Sequence, residues 1–233
     1  MRRAVALTAP LLACAPAAAQ EAPDIAEPMV FDLVRPLGAK RGELEVNTLA
    51  QRDLSGPSPV VEWAPEVELA VADGFAVELE LPFENRRLTD LKLGLQGTFS
   101  LLDGGRGIHG VQYLGLWNRA HRRWESSLLY VIGYRFGARV STLSMVGIGD
   151  VSAAGAAERA LLVNHTSFYA AGDDTTIGVE VNVRAGRERS TLVMPQLHQA
   201  LSPRLEVQAG LGARRETGDT WHPRAGIRLV RSL

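Results

Sequence analysis

The chain has 233 residues, 46% hydrophobic, 22% charged and 6% aromatic, with a formal net charge of −1 and one Cys. That composition excludes a disordered chain, a disulfide scaffold and a basic nucleic-acid binder. No apolar run reaches the roughly 18 residues a membrane helix needs, which leaves a globular or β-barrel chain.

At the start, Arg2 and Arg3 precede an apolar stretch from Ala4 to Ala13, followed by Pro16, Ala17, Ala18 and Ala19. A basic start, a short apolar core and a small-residue exit make residues 1–19 a secretory signal peptide cleaved near Ala19. Cys14 stands in Leu11-Leu12-Ala13-Cys14, which resembles a bacterial lipobox, so lipidation at Cys14 is the alternative processing. Cleavage after Ala19 leaves no thiol, and the mature chain must be held by backbone pairing, packing or a membrane. Residues 20–41, with Pro23, Pro28 and Pro36 and little periodicity, read as a periplasmic N-terminal arm leading into the domain.

From Gly42 onward the pattern changes to alternation punctuated by Gly, Asp, Asn and Pro. Phe75, Val77, Leu79 and Leu81 alternate with Ala76, Glu78, Glu80 and Pro82; Ile177, Val179, Val181 and Val183 alternate with Thr176, Glu180, Asn182 and Arg184. Side chains on a strand point to opposite faces with a period of two, so each stretch has one apolar and one polar face. The same reading predicts about twelve strands, starting near Glu43, Trp63, Phe75, Leu91, Gly110, Trp124, Arg139, Ala160, Thr175, Thr191, Leu205 and Trp221. The Ala-rich stretch from Val151 to Leu162 contains Gly155 and no long apolar stripe, and reads as a loop feeding a strand.

Such strands fit a soluble β-protein with the apolar face inward, or a transmembrane barrel with the apolar face turned to lipid. Connection lengths favour the barrel. Tight turns such as Asp73-Gly74 and Gly137-Ala138 fall on one side, and longer charged connections such as Asp150 to Glu158 on the other. Trp63, Trp117, Trp124 and Trp221 would flank one rim, Phe99 and Phe136 the other. Pro65 and Pro195 fall within strands, where Pro cannot donate to the ladder; a bulge is expected at Pro195.

The fold expected is therefore an all-β, antiparallel up-and-down transmembrane β-barrel of residues 42–233, with a soluble periplasmic β-protein as the alternative. The whole stretch resembles Gram-negative outer-membrane barrels. Pro65 to Phe83, PEVELAVADGFAVELELPF, is similar to the first hairpin of the outer-membrane proteins grouped with the phenol-degradation MetA pathway. Gly226 to Leu233 resembles the carboxy-terminal signal read by the barrel assembly machinery, but it ends in Leu233 and carries Arg231 in place of an apolar residue. The resemblance implies an outer-membrane location, lipid and lipopolysaccharide as partners, and a narrow channel, small-solute transporter or structural role.

The lumen-facing candidates are Glu43, Glu45, Glu78, Glu80, Lys92, Arg135, Glu180, Arg184, Glu206, Arg224 and Arg228. From Glu21 to Pro82 there are 13 acidic and 4 basic residues, net −9; from Val183 to Leu233 there are 4 acidic and 9 basic, net +5. In a closed barrel the two ends are neighbours, so Glu43 and Glu45 are expected to face Arg224 and Arg228 across the seam.

One arrangement suggests catalysis. His165 and Ser167 share a strand face, and this spacing is similar to the lipid-facing His and Ser of outer-membrane phospholipase and lipid A deacylase barrels. An acyl hydrolase is thus the alternative function. The glycine motif from Gly105 to Gly110 opens no helix and reads as a loop. The five His residues have no ligand spacing, so no metal and no cofactor is expected. Arg119, His121, Arg122 and Arg123 form a basic loop that could meet lipopolysaccharide phosphates.

Overall fold

The computed structural model describes residues 22–31, 33–56, 60–151 and 159–233. The alternating stretches form strands β1 (Leu44–Asp53), β2 (Val61–Ala72), β3 (Phe75–Glu80), β4 (Phe83–Glu84), β5 (Arg87–Leu88), β6 (Asp90–Leu102) and β7 (Gly107–Asn118). They continue as β8 (Arg123–Arg135), β9 (Val140–Gly149), β10 (Ala160–Ala170), β11 (Thr175–Ala185), β12 (Ser190–Ser202), β13 (Leu205–Glu216) and β14 (His222–Ser232). All ladders are antiparallel, and β1 pairs with both β2 and β14, so the sheet closes on itself. Apart from the two-residue β4 and β5, twelve strands make the wall. The largest offset from the alternation reading is at β7, expected from Gly110 and beginning at Gly107.

One end of the barrel, where β1 starts and β14 finishes, is called the near end here. It has the tightest connections, Asp73-Gly74 and Pro203-Arg204, while the far end has the longest ones. The far-end segment Phe83 to Thr89, expected as a plain loop, contains the β4–β5 hairpin carried on β2 through Glu62–Glu84 and Trp63–Phe83. Pro65 sits where β2 changes partner from β4 to β3, so its missing N–H costs no ladder bond, and its carbonyl still accepts from Leu81 N at 3.0 Å. The bulge expected at Pro195 is absent. The β12–β13 ladder skips from Val193–Ala213 to Gln196–Gly210 without a change of register, and the slip lies instead between Ala200 and Ser202. A single lost donor interrupts pairing locally, and nothing there requires an extra residue. Residues 1–21, which contain the predicted signal peptide and Cys14, and 152–158 lie outside the described residues.

Face assignment follows the period of two. Leu79 and Ile148 on the outer face are 48% and 50% exposed, whereas Glu68 and Glu180 on the inner face are fully buried. An outer belt of Val67, Leu93, Val146, Leu161, Ile177 and Leu229 belongs against hydrocarbon, because water-exposed aliphatics on this scale would be costly. The four Trp lie toward the far end, with Trp63 stacked on Phe83 at 4.4 Å, and Phe99 and Phe136 lie toward the near end. Aromatic rings mark both boundaries of the belt in this way.

The arm, expected as a lead-in outside the barrel, is inside it. From Asp24, whose carbonyl accepts from Arg135 Nη1 at 3.0 Å near the near end, it rises to an apex at Val30 and Phe31. It then descends to Gly38 and Ala39, bonded to Thr98 Oγ1 at 3.0 Å and Gly74 N at 2.8 Å. Its apolar side chains meet strands whose inner faces are apolar too: Leu33 and Leu37 pack with Ile108, Leu129, Val131, Leu143, Met145 and Phe168. Met29 packs with Leu192 and Met194. Inner-wall glycines provide sockets. A Cβ at Gly94 would lie 2.6 Å from Val34 Cγ2, and one at Gly133 would lie 2.6 Å from Ile25 Cδ1.

Candidate functional site

The lumen is the site, and its polar half is built by β1, β2, β3, β6 and β14. Asn47, Glu66, Glu68 and Arg228 point inward from neighbouring strands and converge. Arg228 donates from Nη2 to Glu66 Oε1 at 2.7 Å, from Nε to Asn47 Oδ1 at 3.1 Å and from Nη1 to the arm's Pro28 carbonyl at 3.2 Å. Arg35 of the arm meets Glu45 at 2.7 Å, Glu43 at 3.3 Å and Glu68 at 3.6 Å. Toward the far end, Arg224 binds Asp53 at 2.9 Å, Gln51 at 3.1 Å and Glu62. Charges removed from water must be paired or hydrogen-bonded, and this network supplies partners to both arm and wall.

The seam pairing differs from the one expected. Glu45 and Glu43 are matched to Arg35 of the arm, while Arg228 and Arg224 reach across β1 to Glu66 and Glu62 on β2. An arm running through the lumen brings its own cation between the two strand ends, and charge totals along the chain could not show this.

The other candidates are dispersed. Lys92 pairs with Glu78 at 3.1 Å and with Glu80. Carboxylates of Glu66, Glu78 and Glu80 lie within 4.8 Å of one another, a spacing able to hold a metal ion, but the Lys92 ammonium already stands beside two of them. Glu180 on β11 anchors the arm, accepting from Val30 N at 3.0 Å and Phe31 N at 2.5 Å. Glu206 accepts from Gln208 Nε2 at 2.8 Å, and Arg135 lies at the near-end mouth. Arg184 lies at the far-end mouth. Above the arm's apex two basins of about 310 and 220 Å³ open toward the far end, sharing Val30.

His165 and Ser167 face outward, and their side chains meet: His165 Nε2 lies 3.0 Å from Ser167 Oγ, and Nδ1 lies 2.8 Å from Ser144 Oγ on β9. His165 is the sixth of the eleven residues of β10. At a rise of about 3.3 Å per residue and a tilt of about 40°, it sits about 12 Å from either end of the strand. That depth is in hydrocarbon, away from the interface where lipid esters and water are found. A second outward chain, Ser100 Oγ to His109 Nε2 at 2.8 Å and His109 Nδ1 to Tyr130 OH at 3.0 Å, escaped the sequence reading because its members lie on three strands. In the basic loop, Arg119 donates to Leu88 O at 2.9 Å and Arg123 pairs with Asp150.

A closed antiparallel barrel with an aliphatic outer belt and a polar, charged lumen is the architecture of an integral β-barrel membrane protein. Among solved structures, the chain is similar to the COG4313 outer membrane channel from Pseudomonas putida F1. That match is 14% identical with TM-score 0.68, covering 87% of this chain and 100% of the other. It is also similar to the NanC porin, 12% identical with TM-score 0.62 over 82% of this chain and 100% of the other. The KdgM porin in complex with disordered oligogalacturonate is 9% identical with TM-score 0.61, covering 81% of this chain and 99% of the other. At these identities the likeness is one of fold. No family model and no curated protein matches the chain.

Proposed function

We propose that this protein is an outer-membrane channel for small solutes whose lumen is occupied by its own N-terminal arm. In this reading the near end is periplasmic and residues 1–19 direct export. The observation that carries it is how the arm is held: by side-chain hydrogen bonds from Gln196, Glu180, Gln112 and Arg228 to its backbone and by the ion pair of its Arg35 with Glu45, and not by strand pairing. Such an arm can leave without opening the wall, because every wall ladder is complete without it. The barrels it resembles in fold include channels and porins, which supports the reading. The resemblance of the Pro65 to Phe83 hairpin to the MetA-pathway proteins is a further, narrower suggestion of relationship.

Planar-bilayer recording tests this. The full-length mature barrel is expected to show small or intermittent conductance, and removal of residues 20–37 to raise it severalfold. Equal, negligible conductance in both would leave a structural barrel.

A further inference from the structure

The two far-end basins differ in charge. The larger is bordered by Glu62, Glu80, Glu84 and Asp90. The smaller, about 220 Å³, is bordered by Arg184, Arg214, Arg224, Asn164 and Asn182 around Phe31, Leu162 and Leu192. Two of its three guanidiniums are committed: Arg224 to Asp53 and Glu62, and Arg214 to Asp53 at 3.0 Å and Glu216 at 3.3 Å. The Arg184 guanidinium has no ion pair or hydrogen bond among the described residues. Its Nη1 lies over Gly149, where a Cβ would stand 3.0 Å away, so the absent side chain makes room for the guanidinium.

Directly toward the membrane centre, Asn164 and Asn182 face each other across the β10–β11 ladder, both turned inward. Asn182 donates from Nδ2 to Glu180 Oε1 at 2.7 Å, but its Oδ1 is buried without a donor. Asn164 is 5% exposed, and its Nδ2 is buried without an acceptor. Buried amide groups are almost always bonded, so an orphan donor and an orphan acceptor in one basin point to a molecule that completes them.

We propose that this basin binds a small monocarboxylate with hydroxyl or amide groups on a compact body. The carboxylate pairs with the Arg184 guanidinium, whose fork matches two oxygens. A polar group of the body accepts from Asn164 Nδ2 and another donates to Asn182 Oδ1, while Phe31, Leu162 and Leu192 pack against its carbon frame. One uncommitted positive charge suits a monoanion; Asp53 and Glu62, held by the neighbouring arginines, disfavour a second negative charge. The inference deepens the channel reading by naming its solute class, and binding can be measured without conduction.

Equilibrium dialysis of the full-length mature barrel in detergent, with glucuronate, glucose and cyclohexanecarboxylate as probes, tests it. Glucuronate is expected to bind about tenfold or more tightly than glucose, the effect of one charge-assisted pair. Arg184→Gln should bring glucuronate to the level of glucose, and Asn164→Leu should weaken glucuronate while sparing cyclohexanecarboxylate. Heat-dependent gel mobility reports folding. If Arg184→Gln does not fold, Gly149→Val, which fills the guanidinium's place, is expected to give the same loss. Equal binding of glucuronate and glucose by the native protein overturns the proposal, as does unchanged glucuronate affinity in the folded variants; water then completes the two amides. Binding with no conductance would leave this subsite standing and remove the channel.

Discussion

Glu180→Ala is the perturbation that most directly probes the arm. The carboxylate accepts two consecutive backbone N–H groups at the apex, from Val30 at 3.0 Å and Phe31 at 2.5 Å, deep in the lumen. Hydrogen bonds to a charged acceptor contribute about 1.5–3 kcal/mol each, so the pair holds the arm by about 3–6 kcal/mol. Asn182 loses an acceptor as well, while removing a buried carboxylate relieves its desolvation cost, so the lower end of that range applies. At 1.4 kcal/mol per decade, about 3 kcal/mol shifts the balance between seated and released arm by about a hundredfold. The wall is not weakened, since the β10–β11 and β11–β12 ladders are backbone-made. Single-channel recording should therefore show the variant dwelling far longer in a high-conductance state, with Glu180→Gln in between because it keeps an acceptor. Native-like traces from Glu180→Ala would refute the idea that hydrogen bonds at the apex keep the lumen closed.

Three further outcomes are expected. Leu79→Arg puts a cation on the outer belt and should cost about 2–4 kcal/mol of folding in lipid, seen as a lower midpoint in denaturant titrations with bilayer vesicles; a neutral effect would contradict a hydrocarbon-facing belt. Arg228→Met strands Glu66 without its cation, leaves Glu68 only Arg35 at 3.6 Å, and should destabilise the barrel by about 3–5 kcal/mol, read as a lower temperature for the gel-mobility shift. Ser167→Ala should leave phospholipid hydrolysis by the purified protein at background, unchanged from the parent, because the pair lies too deep for lipid esters; serine-dependent turnover would reverse that conclusion.

Strand positions and the lipid-facing side were readable from the chain because both depend on a local rule. Alternation at Phe75, Val77 and Leu79 needs only its own neighbours to reveal which face is apolar. Strands β8 and β9 carry less contrast between faces: Leu129, Val131, Leu143 and Met145 make their inner faces apolar as well as their outer ones. That loss of contrast coincides with where Leu33 and Leu37 dock, so its cause lies in the arm and not in the strands themselves.

The amino-acid order by itself settled the all-β class, the rhythm of twelve wall strands and the asymmetry between tight and long connections, all consequences of short-range sterics and hydropathy. Only tertiary structure decided that Arg35 takes Glu45, that Arg228 takes Glu66, that the arm fills the lumen, and that Arg184, Asn164 and Asn182 share one basin. Those choices depend on closure register and on a segment threaded through space, and neither leaves a periodic trace along the chain.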